Sequence, residues 1–245
     1  MKLLAKFLLA AVLFAGAGNV AANPYSVANG RIAEIQDRHL TGFNGVHVAG
    51  SFDVILTQGP NESVKVEAPS DVIDRVKTDV EGGVLKIYNK HDDFNWGNWW
   101  GHSKKIVVYV TAKDINSINI SGSGDVSFRD GIKTNSLKLK ISGSGDMKGH
   151  LEVKNLESSI SGSGDMSLEG RADNSSVSLV GSGDYRAHNL QTAVTSVRVS
   201  GSGDAGINVS QRLDASVNGS GDVHYTGGPK TVNKSKSGSG DISGS

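Results

Sequence analysis

Residues 141–166 read ISGSGDMKGHLEVKNLESSISGSGDM, and the phrase Gly-Ser-Gly-Asp near the start of this stretch returns near its end. The phrase occurs seven times in the 245-residue chain, ending at Asp125, Asp146, Asp165, Asp184, Asp204, Asp222 and Asp241. Successive spacings are 21, 19, 19, 20, 18 and 19 residues. So steady a period marks a repeat architecture rather than a linker.

Aligning the copies on the aspartate exposes four apolar columns. Five residues before it stand Ile120, Ile141, Ile160, Leu179, Val199 and Val217, and seven before it stand Ile118, Leu139, Ser158, Val177, Val197 and Ala215. One after it stand Val126, Met147, Met166, Tyr185, Ala205, Val223 and Ile242, and three after it Phe128, Gly149, Leu168, Ala187, Ile207 and Tyr225. Ser, Lys, Arg, Asn and His fill most of the places between. This alternation is the pattern of strands with one packed face and one wet face.

All four columns have odd offsets from the aspartate, so the packed face keeps its phase through the turn. On that phase the glycine pairs Gly122/Gly124, Gly143/Gly145, Gly162/Gly164, Gly181/Gly183, Gly201/Gly203, Gly219/Gly221 and Gly238/Gly240 point inward, while serine and aspartate point out. Glycine permits positive φ and places no side chain in a narrow corner. The aspartate is suited to accept backbone N–H groups and fix the turn. Hairpin joints would give a meander or barrel. One coil per repeat would instead stack equivalent residues about 4.8 Å apart in parallel strands. Coiling explains why each column stays aliphatic and why every corner is spelled alike. The expectation is an all-β solenoid of ~19-residue coils, each depending on its neighbours to bury its apolar face.

The same phase appears once earlier. Val46, Val48, Gly50, Ser51, Asp53, Val54 and Leu56 fit the columns, with Phe52 in place of the second glycine, as in a degenerate first coil. Strand-like runs follow at 63–68, 84–88 and 106–111, with turn signals at Gly59-Pro60 and Gly82-Gly83. At the other end the inward columns become Lys234 and Lys236, charges that would end the stack and discourage edge-to-edge pairing.

The chain opens like a secretory leader: Lys2 and Lys6, a short apolar run over 7–15 broken at Gly16, and Val20-Ala21-Ala22 before Asn23. The apolar run is too short to span a bilayer. The expected organisation is a leader over 1–22, an extension over 23–42 and a solenoid domain over 43–245. That domain divides into a degenerate first part, 43–117, and the Gly-Ser-Gly-Asp repeats, 118–245. Lysine and arginine balance aspartate and glutamate at 25 each, and loss of Lys2 and Lys6 with the leader takes the net charge from zero to −2. That balance argues against nucleic acid or an anionic membrane surface as main partner. The absence of cysteine excludes disulfides, a thiolate metal site and a lipoprotein anchor.

A resemblance accompanies these features. Gly42-Phe43-Asn44-Gly45-Val46, then Val48-Ala49-Gly50-Ser51-Phe52-Asp53-Val54-Ile55-Leu56-Thr57-Gln58-Gly59, and Gly83-Val84-Leu85-Lys86-Ile87-Tyr88 ahead of the repeats resemble the DUF2807 family, the auto-transporter adhesin head or GIN domain. The resemblance covers residues 43–245. It implies a pectate-lyase-like β-helix with Gly-Ser-Gly at its tight turns, a bacterial source and a role in adhesion, and it brings no catalytic residues.

Every tryptophan lies in the stretch 91–102, HDDFNWGNWWGH. Phe94, Trp96, Trp99 and Trp100, set among Asn, Asp and Gly, are candidate contacts for a glycan or protein partner. The competing reading is a flap that packs its rings over the solenoid. His91, Asp92, Asp93 and His102 carry divalent-metal ligand chemistry without a diagnostic spacing. His39, His47, His150, His188 and His224 fall mostly in polar phase and read as solvated. Calcium-binding β-rolls use a nine-residue motif that this chain lacks, although carboxylates stacked at coil spacing repel by about 1 kcal/mol per pair in water, which cations would relieve. No metal or cofactor is assigned. A polysaccharide lyase or hydrolase would need carboxylates converging in a groove, whereas these acids form a line. The expected function is an exported, non-enzymatic scaffold, periplasmic, outer-surface or secreted. It would contact an envelope or host-surface component, with a β-helix polysaccharide lyase or hydrolase as the alternative.

Overall fold

The computed structural model describes residues 25–28, 31–90 and 105–245. Its first part holds strands β1 (Tyr25–Ala28), β2 (Arg31–Asp37), β3 (Gly45–Gly50), β4 (Asp53–Gln58) and β5 (Ser63–Pro69), then a 3-10 turn, Ile73–Arg75. There follow β6 (Val76–Glu81), β7 (Val84–Asn89), β8 (Val107–Ala112) and β9 (Ser117–Gly122). The repeats supply β10 (Asp125–Gly143), β11 (Met147–Gly162), β12 (Met166–Gly181), β13 (Tyr185–Gly201), β14 (Ala205–Gly219), β15 (Val223–Thr226), β16 (Thr231–Gly238) and β17 (Ile242–Gly244).

Neighbouring repeats pair in parallel, which excludes the hairpin arrangement. Ile141 lies beside Ile160, Ile160 beside Leu179, Leu179 beside Val199 and Val199 beside Val217. Met147 lies beside Met166, and Met166 beside Tyr185. The stack is a β-solenoid, and its four apolar columns are buried through the coils, apart from the half-buried Tyr225 near the open end. Strands β10–β14 bend within their length. In β11 the alternation of buried and exposed positions slips where Lys154 and Asn155 are both exposed, and Leu156 then resumes the inward face. That slip is a second corner. It explains why Leu151, Val153, Leu156, Leu190 and Leu213 join the core outside the four columns.

The degenerate coil takes its place at the head of the stack. In β3, Val46, Val48 and Gly50 pair with Ile118, Ile120 and Gly122, and in β4, Asp53 and Val54 pair with Asp125 and Val126. Beyond it both sheets change character. One continues through β7, parallel to β3, and ends with β6 antiparallel to β7. The other continues through β8, parallel to β4, and then through antiparallel β5 and β2. Glu81 pairs with Val84 across Gly82 and Gly83, whose φ values of +58° and +77° give the two-residue hairpin turn that suits right-twisted strands. Antiparallel hairpins thus cover an end that coil-on-coil pairing would leave open.

The opposite end has no such cover. Strand β16 pairs with β14 and is almost wholly exposed, and β17 pairs with β15. Lys234 and Lys236 occupy the columns of Ala215 and Val217. The Lys234 ammonium turns back to the carbonyl of Ile242 at 2.8 Å and sits 5.0 Å from the Tyr225 ring centre. Among the described residues no helix is long and apolar enough to cross a membrane.

Candidate functional site

The line of turns is the most regular feature of the surface, and its two glycines serve different needs. The first of each motif, Gly122 through Gly238, has φ between +113° and +136°, a region that a side chain disfavours. The second has ordinary φ but no room. A Cβ on Gly145, Gly183 or Gly203 would stand 2.0 Å from the carbonyl oxygen of the equivalent glycine one coil earlier, and one on Gly164, Gly221 or Gly240 2.1 Å. The first coil has no turn of this kind before it, and there Phe52 replaces the glycine and is buried. Turns also bond to turns: the N–H of Ser144 donates to Gly122 O, that of Ser163 to Gly143 O and that of Ser182 to Gly162 O, each at 2.9 Å.

The seventh turn differs from the others in its backbone bond at Gly240. There the Gly240 N–H is the donor to Gly219 O, at 3.0 Å, in place of the serine N–H that makes the shorter bond in the turns before it. Among the described residues every earlier Gly-Ser-Gly-Asp turn is held between two coils, whereas Gly240 has a described coil on one side. Gly240 still packs against the turn beneath it, so its need for a missing side chain is unchanged.

The aspartates join the same ladder. Asp125 Oδ1 accepts the backbone N–H of Asp146, Asp146 that of Asp165, Asp165 that of Asp184, Asp184 that of Asp204, Asp204 that of Asp222 and Asp222 that of Asp241, at 2.7–3.0 Å. The donor lies one coil on, not within the same turn, so each carboxylate clamps two coils together. Arg186 spans two rungs, with Nη1 2.8 Å from Asp165 Oδ2 and Nη2 2.8 Å from Asp184 Oδ2. Partial burial alone would raise the Asp165 carboxyl. The Asp184 N–H and the Arg186 guanidinium outweigh it and hold the group below its usual value. At the open end the pattern is completed by a side chain: Lys236 Nζ lies 3.3 Å from Asp241 Oδ1, the oxygen that would receive the next coil's aspartate N–H.

Strand β7 ends with Ala49 beside Tyr88, and the Asn89 side chain lies against Gly50. Strand β8 begins with Val107 beside Asp53, and Lys105 Nζ lies 3.4 Å from the Asp53 carboxylate. Both ends of the intervening segment therefore meet the turn column, where the other coils cross on two or three residues. Phe94, Trp96, Trp99 and Trp100, with His91, Asp92, Asp93 and His102, lie outside the described residues. Among the described residues no three His, Asp or Glu side chains come together as a metal centre would require.

Two features carry no repeated motif and were missed in the sequence. His188 and His224 meet edge to face with ring centres 5.7 Å apart, and a Cβ on Gly206 would strike the His188 ring. Along the second corner runs an open groove of about 480 Å³, lined across four coils by Ser136, Asn155, Asn174 and Val194. Only Asn155 and Asn174 repeat, so column alignment on the aspartate does not single this corner out. The Asn174 amide donates to Asn155 Oδ1 at 3.1 Å.

The family model described as "Putative auto-transporter adhesin, head GIN domain" (DUF2807) matches residues 42–229. No curated protein matches the sequence. Among solved structures, a "putative adhesin" from Bacteroides fragilis superposes with a TM-score of 0.78 at 24% identity, covering 87% of this chain and 97% of that one. Another, from Parabacteroides distasonis, gives 0.71 at 25% identity over 87% and 97%. A "putative lipid binding protein" from the same species gives 0.69 at 27% identity over 89% and 98%. The span matched by the family model runs from the residue before Phe43, through the degenerate coil and the hairpins, into the last full repeat, and so the chain belongs to the DUF2807 family of auto-transporter adhesin head (GIN) domains.

Proposed function

We propose that the protein is an exported, non-catalytic adhesive scaffold that presents the aromatic segment 91–102 from the head of its turn column to an envelope or host-surface component. One observation carries this reading. Asn89 and Lys105 flank Gly50 and Asp53, so a segment holding all three tryptophans lies in sequence where the other coils have a turn of two or three residues. Aromatic rings supply large contact area at little conformational cost, which suits a recognition element. The leader-like sequence over residues 1–22 supports export. The carboxylates of the turn column support a non-enzymatic role, because each of the first six commits an oxygen to the next coil's backbone.

The test uses the processed protein, starting at Asn23, and its binding to bacterial envelope fractions and host cell surfaces. Trp96→Ala/Trp99→Ala/Trp100→Ala should abolish retention while leaving the thermal transition of the solenoid nearly unchanged. Unfolding of the triple variant, or full retention by it, would refute the assignment of the segment.

A further inference from the structure

On the outer face of the sheet leading into the turns, the column beside the turns carries no charge and the charges beyond it are few. Its column beside the turn runs Ser142, Ser161, Val180, Ser200 and Asn218 over successive coils, each pair in register. In the next column Ser159 and Ser178 are adjacent, with Lys140 before them and Arg198 after. Among the described residues these serine hydroxyls are not taken up by other protein groups. Val180, half exposed, is the most exposed of the large apolar side chains among the described residues and stands in the middle of the hydroxyl column. This face borders the groove of the second corner, where Asn155 and Asn174 offer amides. The charges at that border cancel: Lys138 Nζ lies 2.6 Å from Glu157 Oε1.

We propose that this face and groove bind a neutral, extended polysaccharide lying along the stack, across the strands. Hydroxyls and amides each donate and accept, as sugar hydroxyls do, so each can pair without a charge being desolvated. Val180 and Val194 offer apolar spots for the C–H faces of sugar rings, the mixture of apolar surface and a few placed polar groups that ligand grooves share. Strand stacking repeats the polar groups about every 4.8 Å, which a regular polymer can match over several units. The outer face of the other sheet carries Lys148, Arg186, His188 and His224 instead, chemistry for a charged partner. The inference rests on the adhesive reading and names its ligand class, but it places the contact on a surface separate from the aromatic segment.

The experiment is affinity electrophoresis of the processed protein through gels holding a soluble neutral glucan, mannan or galactan, with polygalacturonate as the anionic comparison. Retardation by at least one neutral polymer is expected, equal at low and high salt. Asn155→Ala/Asn174→Ala should weaken it roughly tenfold or more, the loss of two hydrogen bonds. Val180→Glu should weaken it comparably from a separate exposed position, whereas Lys148→Ala and the triple tryptophan variant should leave it unchanged. Retardation by no neutral polymer, by polygalacturonate alone, or in a manner indifferent to both groove variants would overturn the proposal. If envelope binding persists in any of those cases, the adhesive reading stands and only this surface is withdrawn.

Discussion

The repeat half and the hairpins over β5–β8 bury similar aliphatic residues, yet they are held by different rules. In the inner repeats every position is fixed twice, by the coil before it and the coil after it, and backbone meets backbone at the turns. Among the hairpins each strand's neighbours differ in direction and spelling, β6 answers to β7 alone, and the Gly82-Gly83 turn opens to solvent. Redundancy makes the repeats uniform and intolerant. Its absence lets the other region carry the antiparallel strands and the inserted segment that distinguish one end of the molecule.

The largest contrast is expected at glycine. In Gly145→Ala the new methyl would stand 2.0 Å from Gly124 O, with coils on both sides preventing relief. A loss of ~4 kcal/mol or more, or failure to fold, is expected from denaturant unfolding. Gly82→Ala, at φ +58° with nothing within 4 Å, should cost only about 1–2 kcal/mol for its left-handed conformation. Comparable losses at the two sites would erase the distinction.

The uncovered end should respond next. Lys234→Val/Lys236→Val continues the apolar columns over an unpaired edge and removes the ammonium groups from Asp241 and the Ile242 carbonyl. The variant should self-associate in analytical ultracentrifugation at concentrations where the parent is unaffected, because exposed, uncharged sheet edges pair. A sedimentation profile identical to the parent's would mean that the lysines do not guard the edge.

A smaller effect is expected along the aspartate rail. Asp165 sits below its ordinary value, so the unfolded chain binds its proton more readily, and the associated stability is present above the normal carboxylate range. It disappears as pH falls through the depressed folded value. Arg186→Ala should therefore lower the melting temperature at neutral pH by an amount equivalent to about 0.2–1 kcal/mol, in keeping with exposed ion pairs. Parent and variant should converge in acid. A gap that widens as pH falls would have the wrong sign. Smallest of all is Tyr185→Phe. The Tyr185 hydroxyl is fully buried near Ser158 without a well-formed hydrogen bond, and burial, partly offset by the Ser158 and Ser175 hydroxyls, pushes its pKa to about 12. Removing that hydroxyl should leave stability within about 1 kcal/mol or raise it slightly.

What could be read in advance follows the same divide. Ile141, Ile160 and Val199 announced themselves because parallel register repeats one environment in every coil. The degenerate coil was legible for the same reason, with Phe52 in place of the second glycine, although why a ring fits there became clear only from the missing turn before it. Strand β6 was not, since its residues VKTDVE alternate weakly and owe their conformation to β7. The second corner escaped because the inward phase slips there and its spelling drifts from Asn155 to Val194. Arg186 escaped too: its role depends on reaching Asp165 in the preceding coil as well as Asp184 nearby, a distance in space that spacing along the chain does not reveal.

The central claim is that each repeat is one coil stacked in parallel on the last. The absence of cysteine makes a direct ruler available, because paired cysteines introduced at the outward turn serines would carry the only spin labels. With one label at Ser123 and the second at Ser182, Ser202, Ser220 or Ser239 in turn, electron–electron distance measurements should give separations growing by about 4.8 Å for each added coil. Separations that alternate, plateau or fail to grow in order would contradict the stack.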